Sequence, residues 1–208
     1  MADTRSMARE ERAELADLLA GLAPEQWDAP TLCAGWAVRD VVAHVIGYDA
    51  MGLGGFAANL AASGFRPDRA NQRAVDALRD HSPAGLVELV RRYETPHGLT
   101  AMFGGRIALT DGAIHQQDIR RPLGLPRTIP ADRLREVLDY AMVAPPVGAS
   151  SRIRGLRLVA TDVDWSRGSG PEVTGPGEAL LMAAAGRADA LDELEGPGHA
   201  TFARRVAG

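Results

Sequence analysis

Apolar residues in the first two thirds of the chain recur at helical spacing. Leu15, Leu18, Leu19 and Leu22 fall on one helix face, and the "GLAPEQW" break at residues 21–27 closes that helix. A second, longer segment opens after "LCAGW" and places Val38, Val41, Val42, Val45, Leu53, Phe56 and Leu60 on one stripe. Glycines 52, 54 and 55 weaken its middle, so a bend is expected there. In "SPAGLVELVRRYE", Ser82 stands at the N-cap and Pro83 at the first helical position of a third helix. Two more follow, in "LTDGAIHQQDIRRPLG" (109–124) and "PADRLREVLDYAM" (130–142). Four or more antiparallel helices predict a bundle.

The texture changes after "APPVGASSR" (144–152), which reads as a linker. "LRLVATDVDW" and "PEVTGP" predict short strands with glycine-rich turns. "PGEALLMAAAGR" predicts a helix with Pro176 near its start and Gly186 at its end. The expected architecture is mostly α: a helical bundle over residues 1–147, then a small α+β domain over 148–208.

Composition narrows the function. The 208 residues are 46% hydrophobic and 24% charged, ordinary for a folded chain with a sizeable core. A net charge of −4 offers no basic field for nucleic acid, and no stretch reads as a membrane span or a leader. A cytoplasmic protein with no nucleic-acid or membrane partner is expected; the pattern carries no information on oligomeric state. The single cysteine, Cys33, excludes an internal disulfide framework and a cysteine-rich zinc site, and its simplest reading is a half-buried small hydrophobe.

The helix over 109–124 carries the chemistry. Asp111 and His115 sit one turn apart on one side, with Asp118 on the next turn, among isoleucines. An ionised carboxylate facing a core is costly unless it is paired or bound to a cation. An Asp–His hydrogen bond or a solvated edge would satisfy the pattern. So would a metal, because His44 flanks the apolar face of the second helix. One histidine from one helix and an Asp-x-x-x-His pair from another can supply three ligands and leave a fourth position open, as catalytic zinc sites do.

Residues 19–47, "LAGLAPEQWDAPTLCAGWAVRDVVAHVIG", together with "DGAIHQQDIRRPLGLP" and the tail "LRLVATDVDWSRGSGPEVTGPGEALLMAAAGR", resemble the mycothiol-dependent maleylpyruvate isomerase family, and the resemblance covers nearly the whole chain. It implies a DinB-like four-helix bundle with zinc, or another divalent metal, in its core. It also implies ligands at His44, Asp111 and His115, where aspartate 111 replaces the family's glutamate with a side chain one methylene shorter. The implied chemistry is thiol activation: zinc binds the sulfur of a small thiol, here mycothiol, and keeps it thiolate at neutral pH for attack on a small electrophile. The family's arginine that reaches the metal pocket from the C-terminal domain corresponds by position to Arg187, the candidate catalytic arginine.

Other residues complete the set. Asp118 is placed to orient His115 through a hydrogen bond. Tyr48, one turn beyond His44, is a candidate for lining the substrate pocket. Arg120 is a candidate for binding substrate, although a cation in a last helical turn also suits the helix dipole. Trp27 and Trp36 read as packing residues, and His81, His97 and His199 as turn residues beside Pro or Gly. The functional expectation is an isomerase or thiol S-transferase; a non-catalytic metal or small-ligand binding protein, or a scaffold without metal, fits the same residues.

Overall fold

The computed structural model describes residues 3–208, which form two compact units, one ending at Arg127 and the other running from Thr128 to Gly208. The first is helical: α1 (Thr4–Ala20), α2 (Val38–Ala62), α3 (Pro67–Asp76), α4 (Pro83–Arg92) and α5 (Arg106–Leu123). Local chemistry sets their ends. The Asp3 carboxylate accepts from the Ser6 N–H to start α1, and Ser82 Oγ accepts from the Gly85 N–H to start α4, with Pro83 behind it. Gly124, at φ 65°, ends α5 in the left-handed conformation that favours glycine.

The apolar stripes meet as their spacing predicts up to Asp49 of α2; Leu53, expected on the same stripe, is exposed, and Phe56 and Leu60 are only half-buried, because the break at Gly52 turns that part of the helix out of phase. Leu15, Leu19, Val38, Val41, Val42, Val45, Leu86, Val90 and Ile119 form one buried cluster with Trp27. The expected bend in α2 falls at Gly52 (φ 64°, ψ −176°). Of the described residues only Val38–Ala62 is long and apolar enough to cross a membrane by length and composition. The break divides it, and its first half is core. The segment α3 carries no strong sequence signal, because its buried residues are Ala70, Ala74 and Val75 rather than large hydrophobes.

Two buried ion clusters lock α1 into this unit. Arg12, 1% exposed, forks both guanidinium nitrogens onto Asp49 at 2.8 and 2.7 Å and reaches the Tyr93 carbonyl. Asp49 also accepts from Thr100 Oγ1 and the His97 N–H. On another face, Arg127 pairs with Glu11 and Glu14, and Gln116 of α5 donates to the Glu11 carbonyl and carboxylate. Gly112 permits that approach of α1 to α5, since a Cβ there would lie 3.1 Å from Glu11 Cγ.

The second unit is α+β and contains α6 (Ala131–Ala141), α7 (Ala149–Arg152), β1 (Arg157–Ala160), β2 (Ser166–Gly168), β3 (Glu172–Gly175), α8 (Gly177–Ala184) and α9 (His199–Ala207). The sheet order is β2-β1-β3, with β1 antiparallel to β2 and parallel to β3. Three features depart from the sequence expectation. The units divide between 127 and 128 rather than between 147 and 148, because α6 packs on α8 and Asp139 accepts from the Trp165 indole N–H, 2.9 Å away. The stretch 144–152 is no linker: it is mostly helical turns, held where Arg152 donates to the carbonyls of Val147 and Ala184. His199 begins a helix rather than lying in a turn, with Phe202 and Val206 of α9 buried.

Candidate metal centre

The helix α5 shows two chemically different sides. Successive residues are about 100° apart on a helix, so Asp111, His115 and Asp118 face α2 and the loop before it, while Gly112, Gln116 and Arg120 face α1. On the first side, His44 of α2 meets Asp111 and His115. The distance from Asp111 Oδ1 is 3.7 Å to His44 Nε2 and 3.4 Å to His115 Nε2. The two imidazole rings stand edge to face with centroids 4.9 Å apart. The donor atoms of all three residues lie within 4.8 Å of one another.

That spacing suits a cation. Donors about 2.0–2.2 Å from one ion at tetrahedral angles are about 3.3–3.6 Å apart, close to the two distances seen. Two imidazoles and one carboxylate are also a donor set that zinc accepts. His44 is buried and turns Nε2, a ligand atom, toward Asp111. The residues present therefore fit a divalent metal.

The charges agree. Burial pushes the Asp111 carboxyl up, but the His115 charge and hydrogen bonds from His115 and His44 outweigh it and hold Asp111 well below the ordinary carboxylate range. Burial pushes His115 down, and the Asp111 charge with hydrogen bonds to Asp111, Asp118 and Cys33 carries it well above 6.5. The sign of the linkage follows. The raised His115 stabilises the metal-free fold fully below its unfolded value of 6.5 and loses that contribution as pH rises through the folded value. The depressed Asp111 contributes above 3.8 and loses it only in stronger acid. In urea denaturation with chelator present, the stability lost in His115→Gln should accordingly be greatest between about pH 4 and 6.5 and shrink at higher pH. A loss independent of pH would contradict the pairing.

Second neighbours surround the triad. Asp118, fully buried, lies 2.8 Å from His115 Nδ1 through Oδ2, as the spacing suggested. Tyr48 stands edge-on to the His44 ring at 5.9 Å and donates to Asn71; burial and the Asp111 charge push its phenol up to about 12, so it stays neutral. Trp36 lies 5.1 Å from the His44 ring and therefore borders the site, which its reading as a packing residue missed. Cys33 is likewise more than a small hydrophobe. Its Sγ donates to Asp118 Oδ2 at 3.1 Å and sits 3.6 Å from His115 Nδ1, across 82 residues of sequence.

One expected site residue is placed on another side of α5. Arg120 Nε donates to Gln116 Oε1 at 3.2 Å on the α1 side, among Glu11, Glu14 and Arg127, about 140° around the helix from His115. Burial and the Arg127 charge lower it against the pull of the two glutamates. Arg187 belongs to the second unit, where its Nη1 donates to the Ala185 carbonyl at 2.7 Å and its charge depresses Arg152 further than burial does alone.

Residues 8–97 match the family model of the mycothiol maleylpyruvate isomerase N-terminal domain. The match lies within the helical unit and likens it to that family. The matched span includes Cys33, His44 and Tyr48, while Asp111 and His115 lie beyond it. Two crystal structures, of the mycothiol-dependent maleylpyruvate isomerase and of a histidine-to-alanine variant of it, share the fold. Each is 16% identical, with a TM-score of 0.58, over 94% of this chain and 92% of theirs. The mostly α architecture read from the sequence is thereby shared with a solved fold. No curated protein matches the sequence.

Proposed function

We propose that this protein is a mycothiol-dependent isomerase or S-transferase that holds zinc, or another divalent cation, on His44, Asp111 and His115. The observation that carries the reading is the meeting of two imidazoles and a carboxylate at ligand spacing in a helical unit similar to the isomerase N-terminal domain. Bound there, the cation supplies an acceptor for a thiol sulfur and favours its thiolate form.

The protein's own residues do the remaining work. Asp111 keeps its charge and offsets part of the cation's. Asp118 accepts, so it keeps the proton of His115 on Nδ1 and leaves Nε2 as the ligand atom beside Asp111, where a cation would take the place of its proton. Tyr48, neutral, and Trp36 give the site an aromatic wall. Arg187 is the candidate grip for an acceptor carboxylate, by two parallel hydrogen bonds. An isomerisation of an unsaturated dicarboxylate consists of thiolate addition to the double bond, rotation about the resulting single bond, and elimination that returns the thiol. A transfer stops at the adduct and consumes it.

The test is turnover of maleylpyruvate with and without mycothiol, with the thiol titrated before and after. Turnover is expected only with thiol present, and undiminished thiol afterwards identifies isomerisation. Full turnover without added thiol, abolished in Cys33→Ser, would replace the external thiol with a cysteine nucleophile.

A further inference from the structure

We infer that Cys33 is a positioning residue of the metal centre: its thiol fixes the Asp118 carboxylate that in turn sets the His115 ring. The inference rests on the metal-binding reading above. Two donor groups share His115, and their spacings separate them. Around Asp111 the gaps are 3.4 and 3.7 Å, wide enough for an ion between the atoms. Around Asp118 Oδ2 they are 2.8 Å to His115 Nδ1 and 3.1 Å to Cys33 Sγ, the lengths of direct hydrogen bonds. Ligand atoms of one zinc would lie about 3.3–3.6 Å apart. Cys33, His115 and Asp118 thus form a hydrogen-bonded triangle and not a second coordination sphere.

The chemistry of the triangle has a direction. Asp118 is fully buried, and an ionised carboxylate offers only acceptors. It takes the His115 Nδ1–H and the Cys33 S–H on one oxygen, so the thiol holds that oxygen where the imidazole needs it. The loop presenting the thiol is itself fixed: the Leu32 N–H donates to the Asp118 carbonyl at 3.1 Å, the Cys33 N–H to Thr31 Oγ1, and Thr31 Oγ1 to the Trp36 carbonyl at 2.9 Å. One loop therefore touches both histidines, His115 through Cys33 and Asp118 and His44 through Trp36.

The experiment is Co2+ binding to purified wild type, Cys33→Ala and Cys33→Ser after metal removal, followed by chelator competition and by absorption. Serine keeps a donor to Asp118 and alanine does not. Affinity is expected to fall about tenfold in Cys33→Ala and to be restored in Cys33→Ser, since loss of a partner that orients a ligand costs about 10–100-fold. The metal-free thermal midpoints should stay together, separating positioning from general loss of structure. If Cys33→Ala folds poorly, Cys33→Val fills the space and donates nothing. Equal affinity in all proteins overturns the inference while leaving the metal reading standing. A near-ultraviolet sulfur-to-cobalt band, lost in both variants, overturns it by making Cys33 a ligand. Absence of Co2+ binding by the wild type overturns the metal reading and this inference with it.

Discussion

Replacing His115 with alanine is expected to strip the protein of metal and of thiol-dependent turnover while leaving it folded. The substitution removes one of three donors that lie at ligand spacing and frees Asp118 from its imidazole partner. Loss of a residue that only orients a ligand already weakens metal binding about 10–100-fold, so loss of the ligand should exceed a hundredfold. His44→Ala should do the same. Neither histidine belongs to the buried cluster of Leu15, Val41, Val45, Val90 and Ile119, so far-ultraviolet dichroism should be retained. Elemental analysis after gel filtration reads the metal. About one zinc per chain in the wild type and near none in either variant is the expected result, and full occupancy in both variants would remove these residues from the metal centre.

The second large effect concerns stability. Asp49→Ala should destabilise the helical unit by about 3–5 kcal/mol, because it leaves the Arg12 guanidinium, 1% exposed, charged and buried without its partner. Thr100 and the His97 amide lose their acceptor at the same time. For a chain of this size the thermal midpoint should drop by about 6–20 °C. Removing both charges in Arg12→Leu with Asp49→Leu should recover much of the loss, since the penalty lies in the unpaired ion more than in the missing pair. A single substitution costing less than about 1 kcal/mol would show that water reaches Arg12. The pair lies apart from the metal triad, so metal content in the folded fraction should not change.

The parts of the fold that could be read in the sequence are those where large apolar residues repeat. The stripes of α1 and α2, the capping of α4 by Ser82 and the bend at Gly52 all act through local chemistry. The helix α3 escaped because alanines at helical spacing bury little area, and β2 because three residues, Ser-Arg-Gly, carry no alternation. The boundary between units was misread for another reason: α6 looks like any amphipathic helix, and only its packing on α8 assigns it to the second unit. In the site, the Asp-x-x-x-His spacing was visible because one helix carries it. Cys33 was not, since its partners lie 82 and 85 residues away and the sequence places nothing basic beside it. Arg120 shows the converse, a cation close in sequence to His115 yet turned by helical geometry to the opposite side.

The break at Gly52 also divides the chain by its tolerance for changes in length. Between Asp111 and Asp118 one added or deleted residue would rotate everything beyond it by about 100°, and Asp111, His115 and Asp118 would no longer share a side. The same holds from Val38 to Asp49, where His44 must meet the triad and Asp49 must meet Arg12. Beyond Gly52 the helical phase is already reset, so a residue gained or lost between Leu53 and Ala62 would leave the orientation of His44 untouched. Insertions and deletions within α2 should therefore gather on the far side of that glycine.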